Sequence, residues 1–332
     1  VNSLRIGIVD DLALARAVLR RTIESVPGYA VAWEATDGAQ AVAKVRADKP
    51  DVVLMDLVMP VLDGGAATKQ IMAASPLPII IVTSSVSTNL SRVYEALSHG
   101  GLDAVNTPTL GPDGKPQGEG PLLAKLAAIA RNRASGSILL QDVGQRESVP
   151  TGTRWIAIGA STGGPEAVAR VLADLGKVDV PVVVIQHIGA DFAPGLAEWL
   201  TQRTGRPVTL AAGGVRPAPG SITLAGGENH LVLENGAFRL TPEPEALSYR
   251  PSVDVFFESL TGRGVAVLLT GMGSDGARGL LGLRRRGWHT IAQDEPTCVV
   301  YGMPKAAAGL GAAVEVLPLG GIGGAIRRAI PG

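Results

Sequence analysis

Twice along this 332-residue chain, short apolar runs alternate with stretches whose apolar residues recur at helical spacing. No other feature constrains the fold as strongly. Strands that alternate with helices pair in parallel through right-handed crossovers, so each block reads as a parallel sheet covered by helices. In the first block the runs are residues 4–9, 30–35, 52–55 and 79–82, mostly apolar throughout as in strands buried on both faces. Between the first two, Leu14, Val18, Leu19, Ile23 and Val26 share one helical stripe over residues 12–26, and Pro27-Gly28 ends it. A last helical stretch covers 121–133, after a Gly- and Pro-dense segment, 108–121, read as an exposed loop. The second block has strand candidates at 155–158, 180–186, 265–269, 290–293 and 313–317. Within it Asn235-Gly236, flanked by 230–233 and 237–240, is a hairpin signal, so the second block is α/β with an antiparallel insertion.

Residues 134–152, rich in Gly, Ser and Gln with one apolar island at Ile138-Leu139-Leu140, read as a linker. The expected division is a domain at 1–133, the linker at 134–152 and a second domain at 153–332, since single cores rarely exceed about 250–300 residues. A hydrophobic share of 46% against 18% charged residues suffices for two cores and excludes a wholly disordered chain. Thirty basic side chains cancel thirty acidic ones, so no global field draws the chain to nucleic acid or anionic lipid. Arg284-Arg285-Arg286 is read as a solvated face at a helix end. No apolar run approaches the ~18 residues of a membrane span, and residues 4–9 read as a strand rather than a leader. The single Cys298 excludes a disulfide scaffold, fits a reducing compartment and is itself read as a small buried hydrophobe. Together these point to a cytoplasmic protein with no nucleic-acid partner and no direct membrane insertion.

In a doubly wound sheet, ligands bind at the carboxyl ends of the strands. Asp10 and Asp11 end the first strand, Asp56 ends the third and Thr83 closes the fourth. Three carboxylates converging without an obvious cation call for a divalent metal, and oxygen-only ligands suit magnesium. Asp10-Asp11, the segment Val53-Leu54-Met55-Asp56-Leu57-Val58-Met59-Pro60 with Asp63-Gly64, and Thr83 together resemble a two-component receiver domain, over about residues 4–133. The resemblance implies a flavodoxin-like fold, phosphorylation of Asp56, and magnesium held by Asp11, Asp56 and a backbone carbonyl near Val58. It also implies that Thr83 is the hydroxyl that moves toward the phosphoryl group. One departure stands out: Thr107 occupies the family's lysine position before Pro108, and Ala104 its aromatic switch position. Threonine offers one hydrogen bond there and no charge. Lys115 follows a few residues on, in the Gly/Pro loop.

The second block opens with residues 155–158 running into Gly159-Ala160-Ser161-Thr162-Gly163-Gly164-Pro165. A serine in such a strand-to-helix turn presents its hydroxyl clear of crowding, near helix N–H groups that can hold an oxyanion. A phosphate cradle is the competing reading, although the dinucleotide fingerprint wants a glycine at Ser161 and an acid at His187. The next strand ends in His187, and the run 265–269 leads through Thr270-Gly271-Met272-Gly273-Ser274 to Asp275. In a parallel sheet Ser161, His187 and Asp275 emerge at one edge, as a nucleophile, a base and the carboxylate that orients it require. Asp294 also follows a strand and is the alternative orienter. His289 precedes its strand and belongs to the opposite edge, His230 begins the hairpin, and His99 sits at a helix end. No His/Cys/Glu cluster here has metal-ligand spacing.

The order Ser, His, Asp differs from that of α/β-hydrolases, in which the acid precedes the histidine. Residues 158–164, Gln186-His187, Tyr249-Arg250-Pro251-Ser252-Val253-Asp254, 269–277 and Ala292-Gln293-Asp294 through Tyr301-Gly302-Met303-Pro304 are similar to the catalytic domain of the chemotaxis protein-glutamate methylesterases. That family also carries an N-terminal receiver. The resemblance implies hydrolysis of glutamate γ-methyl esters on the cytoplasmic helices of chemoreceptors, with release of methanol, and glutamine deamidation by the same acyl chemistry. It places oxyanion contacts at the backbone of Met272 and, secondarily, at Thr162. A chemotaxis histidine kinase is the implied phosphodonor, and the unphosphorylated receiver is implied to inhibit the enzyme. No cofactor is expected for catalysis. Two other readings follow from the residues: the same hydrolase with a receiver that docks partners without phosphorylation, because of Thr107, and a receiver-linked nucleotide-binding domain. Arg250 and Asp254 read either as substrate-entrance residues or as a structural pair.

Overall fold

A computed structural model of the chain describes residues 3–84, 90–112, 114–134, 154–244, 247 and 249–330. The chain divides into two compact units, 1–134 and 135–332. Apart from Ala134, which ends a helix, the segment read as a linker, with its apolar island, lies outside the described residues.

In the first unit, strands β1 (Leu4–Val9), β2 (Tyr29–Ala35), β3 (Val52–Asp56), β4 (Ile79–Thr83) and β5 (Asp103–Asn106) form one sheet in the order β2-β1-β3-β4-β5. Every pairing is parallel. Val52, Val53, Leu54 and Met55 are wholly buried, as the uniform apolarity of the run requires when helices cover both faces. The helices Gly38–Ala47 and Gly64–Ala74 begin at Asp37 and Asp63, whose carboxylates accept the N–H groups of Gln40 and Ala66. Register sets Val9 beside Met55, Asp56 beside Val82 and Thr83 beside Asn106, so the four strand ends meet at one edge.

The segment 108–121 is not simply a loop. β6 (Thr109–Leu110) and β7 (Pro116–Gln117) pair antiparallel, and the next helix starts at Gly120. A ladder of two residue pairs is too short to imprint alternation on a sequence. Arg21, near the end of the helix Ala13–Glu24, donates to the Gly114 carbonyl in the hairpin turn.

The second unit is built on β8 (Arg154–Ala160), β9 (Val182–Gln186), β10 (Val208–Leu210), β11 (Ile222–Ala225), β12 (His230–Glu234), β13 (Ala237–Thr241), β14 (Arg263–Leu268), β15 (His289–Gln293) and β16 (Glu315–Leu317). Seven of these make a parallel sheet in the order β10-β11-β9-β8-β14-β15-β16. The antiparallel insertion is the hairpin that the sequence signals, while two short strands beside it are ones the sequence reading did not name. β10 and β11, at three and four residues, extend the parallel sheet, and only β12 and β13 form the hairpin. Its turn residues Asn235 and Gly236 have φ of 52° and 75°, the left-handed pair that a tight two-residue turn needs.

From β8 the chain fills the side of β9, then returns to lay β14 against the other side of β8. Such a reversal opens a crevice at the carboxyl ends of the strands. Gly159 is level with both Ile185 and Leu268, so the residues following β8, β9 and β14 converge. Beneath them lies a core that includes Phe256, Phe257, Leu268, Leu280, Trp288 and Met303. Among the described residues no helix is long and apolar enough to cross a membrane.

Candidate active site and acidic pocket

Ser161 is held by its backbone from both neighbouring strands. Its N–H donates to the Thr270 carbonyl (3.0 Å), and its own carbonyl accepts Gln186 Nε2 (2.9 Å) and the Gly164 N–H (2.8 Å). Gly163, at φ 76°, turns the chain into the helix Gly164–Leu175. A Cβ on Gly271 would stand 2.7 Å from Ser161 Cβ, so only glycine lets the β14 loop approach so closely. Ser161 is 2% exposed, and its hydroxyl has no hydrogen-bond partner among the described residues.

His187 donates its N–H to the Ala160 carbonyl, and its Nε2 lies 2.7 Å from Asp275 Oδ2. A carboxylate on Nε2 fixes the proton there, so the buried, unpartnered Nδ1 carries the free lone pair. Tyr249 stacks on the imidazole, centroids 4.4 Å apart and planes within 1° of parallel. Asp275 accepts three further hydrogen bonds, from Ser252 Oγ (2.7 Å), Val253 N–H (2.7 Å) and Asp254 N–H (3.1 Å). Burial alone would raise the Asp275 carboxyl, but the bonds from His187, Ser252 and Val253 prevail and hold it below the usual carboxylate range.

The structure thus brings the serine, the histidine and the first-choice aspartate to one crevice. Asp294, the alternative orienter, instead accepts from Thr297 N–H and hydroxyl. His289 pairs with Glu315 (2.7 Å), and His99 Nδ1 faces the Gly65 carbonyl. Met272 N–H has no hydrogen-bond partner among the described residues. Thr162 is buried with its hydroxyl unpartnered, while its carbonyl accepts Thr270 Oγ1 (2.9 Å).

Asp254 is 6% exposed and turned toward the protein. Its buried carboxylate accepts Gly279 N–H (2.7 Å) and faces Arg278 (3.4 Å); burial, then the charge of Asp275, push it upward. Arg284 and Arg286 are not merely solvated, because they donate to the carbonyls of Ala313 and of Phe257 and Leu260. Burial raises the Cys298 thiol to about 12, which leaves it protonated and inert. The glycine turn packs against protein where a phosphate would need room: a Cβ on Gly163 would meet Val299 at 2.6 Å and one on Gly164 would meet Gln186 Oε1 at 2.2 Å.

Sequence reasoning placed Tyr249, Ser252, Gln186 and Gln293 in stretches similar to the catalytic domain but gave them no role in this site. Gln293 accepts Thr270 N–H (2.8 Å) and donates to the Thr297 carbonyl (2.7 Å), fixing the loop after β14. Ser252 did carry a signal, since a serine before the mostly apolar stretch 253–257, with Asp254 in its first turn, is a helix N-cap. Tyr249 carried no signal of its own beyond the motif it opens.

In the first unit, Asp10, Asp11 and Asp56 bring carboxylate oxygens within 4.8 Å of one another. Leu12 N–H donates to Asp10 (2.8 Å) and Val58 N–H to Asp56 (3.1 Å). Burial is the main cause that raises Asp10, and burial followed by the charge of Asp10 raises Asp56 to about 6. Arg16, which sequence reasoning overlooked, donates to the backbone carbonyls of Asp10 (2.8 Å) and Asp11 (3.1 Å). Crowded oxygen donors of this kind fit a hard divalent cation, which would relieve their mutual repulsion. Thr83 ends β4, buried, and its carbonyl accepts Thr107 N–H (2.9 Å), which sets Thr107 beside the pocket's edge. Lys115 is exposed in the β6–β7 turn.

Residues 156–326 match the family model described as CheB methylesterase, and residues 6–110 match that of the response regulator receiver domain. A Pseudomonas aeruginosa protein named protein-glutamate methylesterase/protein-glutamine glutaminase 3 is 48% identical over 328 residues, 95% of this chain and 96% of its own length. A Burkholderia lata protein named protein-glutamate methylesterase/protein-glutamine glutaminase 1 is 50% identical over 329 residues, covering 97% and 98%. The crystal structure of the Thermotoga maritima CheB methylesterase catalytic domain matches with a TM-score of 0.51 at 33% identity, covering 54% of this chain and 100% of that one.

Proposed function

This chain belongs to the CheB methylesterase family with a response regulator receiver domain ahead of the catalytic domain, and from that premise we propose a receiver-regulated hydrolase of glutamate γ-methyl esters. Its substrates are methylated glutamates on the cytoplasmic helices of chemoreceptors, which sets its place of action in the cytoplasm. One observation carries the chemistry: Asp275 occupies His187 Nε2, while Nδ1 and the Ser161 hydroxyl are buried, unpartnered, at adjoining strand ends.

In this mechanism Ser161 Oγ attacks the ester carbonyl and His187 Nδ1 takes the hydroxyl proton. Asp275 keeps the imidazole in the required tautomer and stabilises the imidazolium. The unpartnered N–H of Met272, with Thr162 as a second contact, receives the developing oxyanion. The tetrahedral intermediate collapses as His187 returns the proton to the departing methoxide, releasing methanol. Water, deprotonated by the same imidazole, then attacks the acyl-enzyme and frees the glutamate carboxylate. A glutamine side chain follows the same path with ammonia as the leaving group.

In the receiver, Asp56 accepts a phosphoryl group from a chemotaxis histidine kinase, Asp10, Asp11 and Asp56 are the residues to hold magnesium, and Thr83 supplies a hydroxyl. Magnesium, when bound, neutralises charge on the carboxylates and phosphoryl oxygens. Thr107 in place of a lysine favours a second reading of this domain alone, as a docking module without phosphorylation. Methanol release from methylated receptor membranes, wild type against Ser161→Ala, tests the catalytic half. Acyl-phosphate labelling of Asp56 with magnesium separates the two readings of the receiver, since labelling supports phosphorylation and its absence supports docking.

A further inference from the structure

His230 is completely buried, starts β12, and takes no part in the chemistry above. Its Nδ1 accepts the backbone N–H of Ser252 (3.0 Å), and its Nε2 faces the Pro244 carbonyl (3.4 Å), which puts the proton on Nε2. Ser252 is the N-cap of the helix Val253–Ser259, and that cap supplies all three non-histidine donors to Asp275: the Ser252 hydroxyl and the N–H groups of Val253 and Asp254. The same strand also grips the helix at its far end, where Leu233 N–H donates to Ser259 Oγ (2.9 Å). A continuous chain therefore runs from His230 through Ser252 and Asp275 to His187.

Resting on the Ser161–His187–Asp275 reading, we propose that His230 is a positioning residue for the esterase, which fixes the cradle of Asp275 by holding the backbone of Ser252. Asp275 has its four donors already placed and its side chain only 11% exposed, so it cannot follow a displaced helix end without tilting the bond to His187. A misplacement of that size at a base–orienter pair costs catalysis rather than substrate binding.

The test compares His230→Asn with His230→Gln in the full chain. The asparagine amide oxygen stands where Nδ1 stands and can accept from Ser252, whereas glutamine reaches the place of Nε2 and leaves Ser252 N–H unmet. His230→Gln is expected to lower kcat for methanol release about tenfold at nearly unchanged KM, with His230→Asn within about threefold of wild type. In imidazole-¹⁵N-labelled protein, the His187 Nε2–H resonance should move in the glutamine variant and stay in the asparagine variant. Equal kcat in the two variants, a loss confined to KM, or an unmoved His187 resonance in an impaired glutamine variant overturns the role. If glutamine prevents folding, a folded asparagine variant as inactive as Ser161→Ala overturns it too. Release surviving Ser161→Ala is a different failure, which removes the triad and the positioning role together.

Discussion

Both candidate sites stand at the carboxyl edge of a parallel sheet and both centre on a partly buried aspartate, yet their carboxylates are treated in opposite ways. Asp275 receives four hydrogen bonds from its own chain and titrates below the usual range. Asp56 receives a bond from Val58 N–H, faces Asp10 and Asp11, and is raised to about 6, with burial the main cause. The first site is finished by the protein and needs only substrate. In the second, the chain leaves charge uncompensated, which is the property that the proposed cation and phosphoryl group would answer. The fold is the same in kind; the donors supplied by neighbouring loops make the difference.

The sharpest break between the two is serine removal. Ser161→Ala should lower methanol release by about 10⁴-fold or more, whereas Asp56→Asn should leave basal release unchanged. Next in size is Asp275→Asn. An amide aimed at His187 through its NH₂ shifts the imidazole proton onto Nδ1, leaving no base beside Ser161, and kcat should fall about 10³- to 10⁴-fold in the same assay.

The receiver should respond to pH through Asp56, as the catalytic unit should through the raised Asp254. Because Asp56 is raised from 3.8 to about 6, the folded receiver binds more protons than the unfolded chain between those values. Its stability should therefore fall as pH rises from about 4 to about 6. Thermal melts across that window should show the fall, magnesium should offset it most at the upper end, and Asp56→Asn should reduce it, leaving the part due to Asp10 and Asp254. Asp275, lowered instead, contributes stability that is lost only as pH drops through its depressed value. The smallest effect expected is that of Thr107→Lys. A lysine at the pocket edge should stabilise the magnesium-free receiver by about 0.5–1 kcal/mol and shrink the gain from magnesium, as read by denaturant unfolding.

Much of this was legible because strand ends are legible. Asp10, Asp56, Thr83 and His187 each lie at or just after an apolar run, and parallel pairing alone brings such residues to one edge. β10 and β11 escaped because three or four residues do not make a run. Tyr249 and Ser252 stood in a motif of the resemblance, but their contacts were hidden for another reason. They reach His187 and Asp275 from a segment between the hairpin and β14, and nothing local in the sequence says that this segment folds back over the crevice. His230 looked like the start of a hairpin arm, as it is, and its bond to Ser252 spans 22 residues of chain.

The central claim is that hydrolysis belongs to the preassembled site and that the acidic pocket only sets its rate. Methanol release from methylated receptor membranes, with and without a small acyl-phosphate donor and magnesium, tests it in one experiment with wild type, Ser161→Ala and Asp56→Asn. The account predicts release in both conditions that vanishes with Ser161, and a phosphodonor-dependent rise that vanishes with Asp56. Release that survives the loss of Ser161 would contradict it.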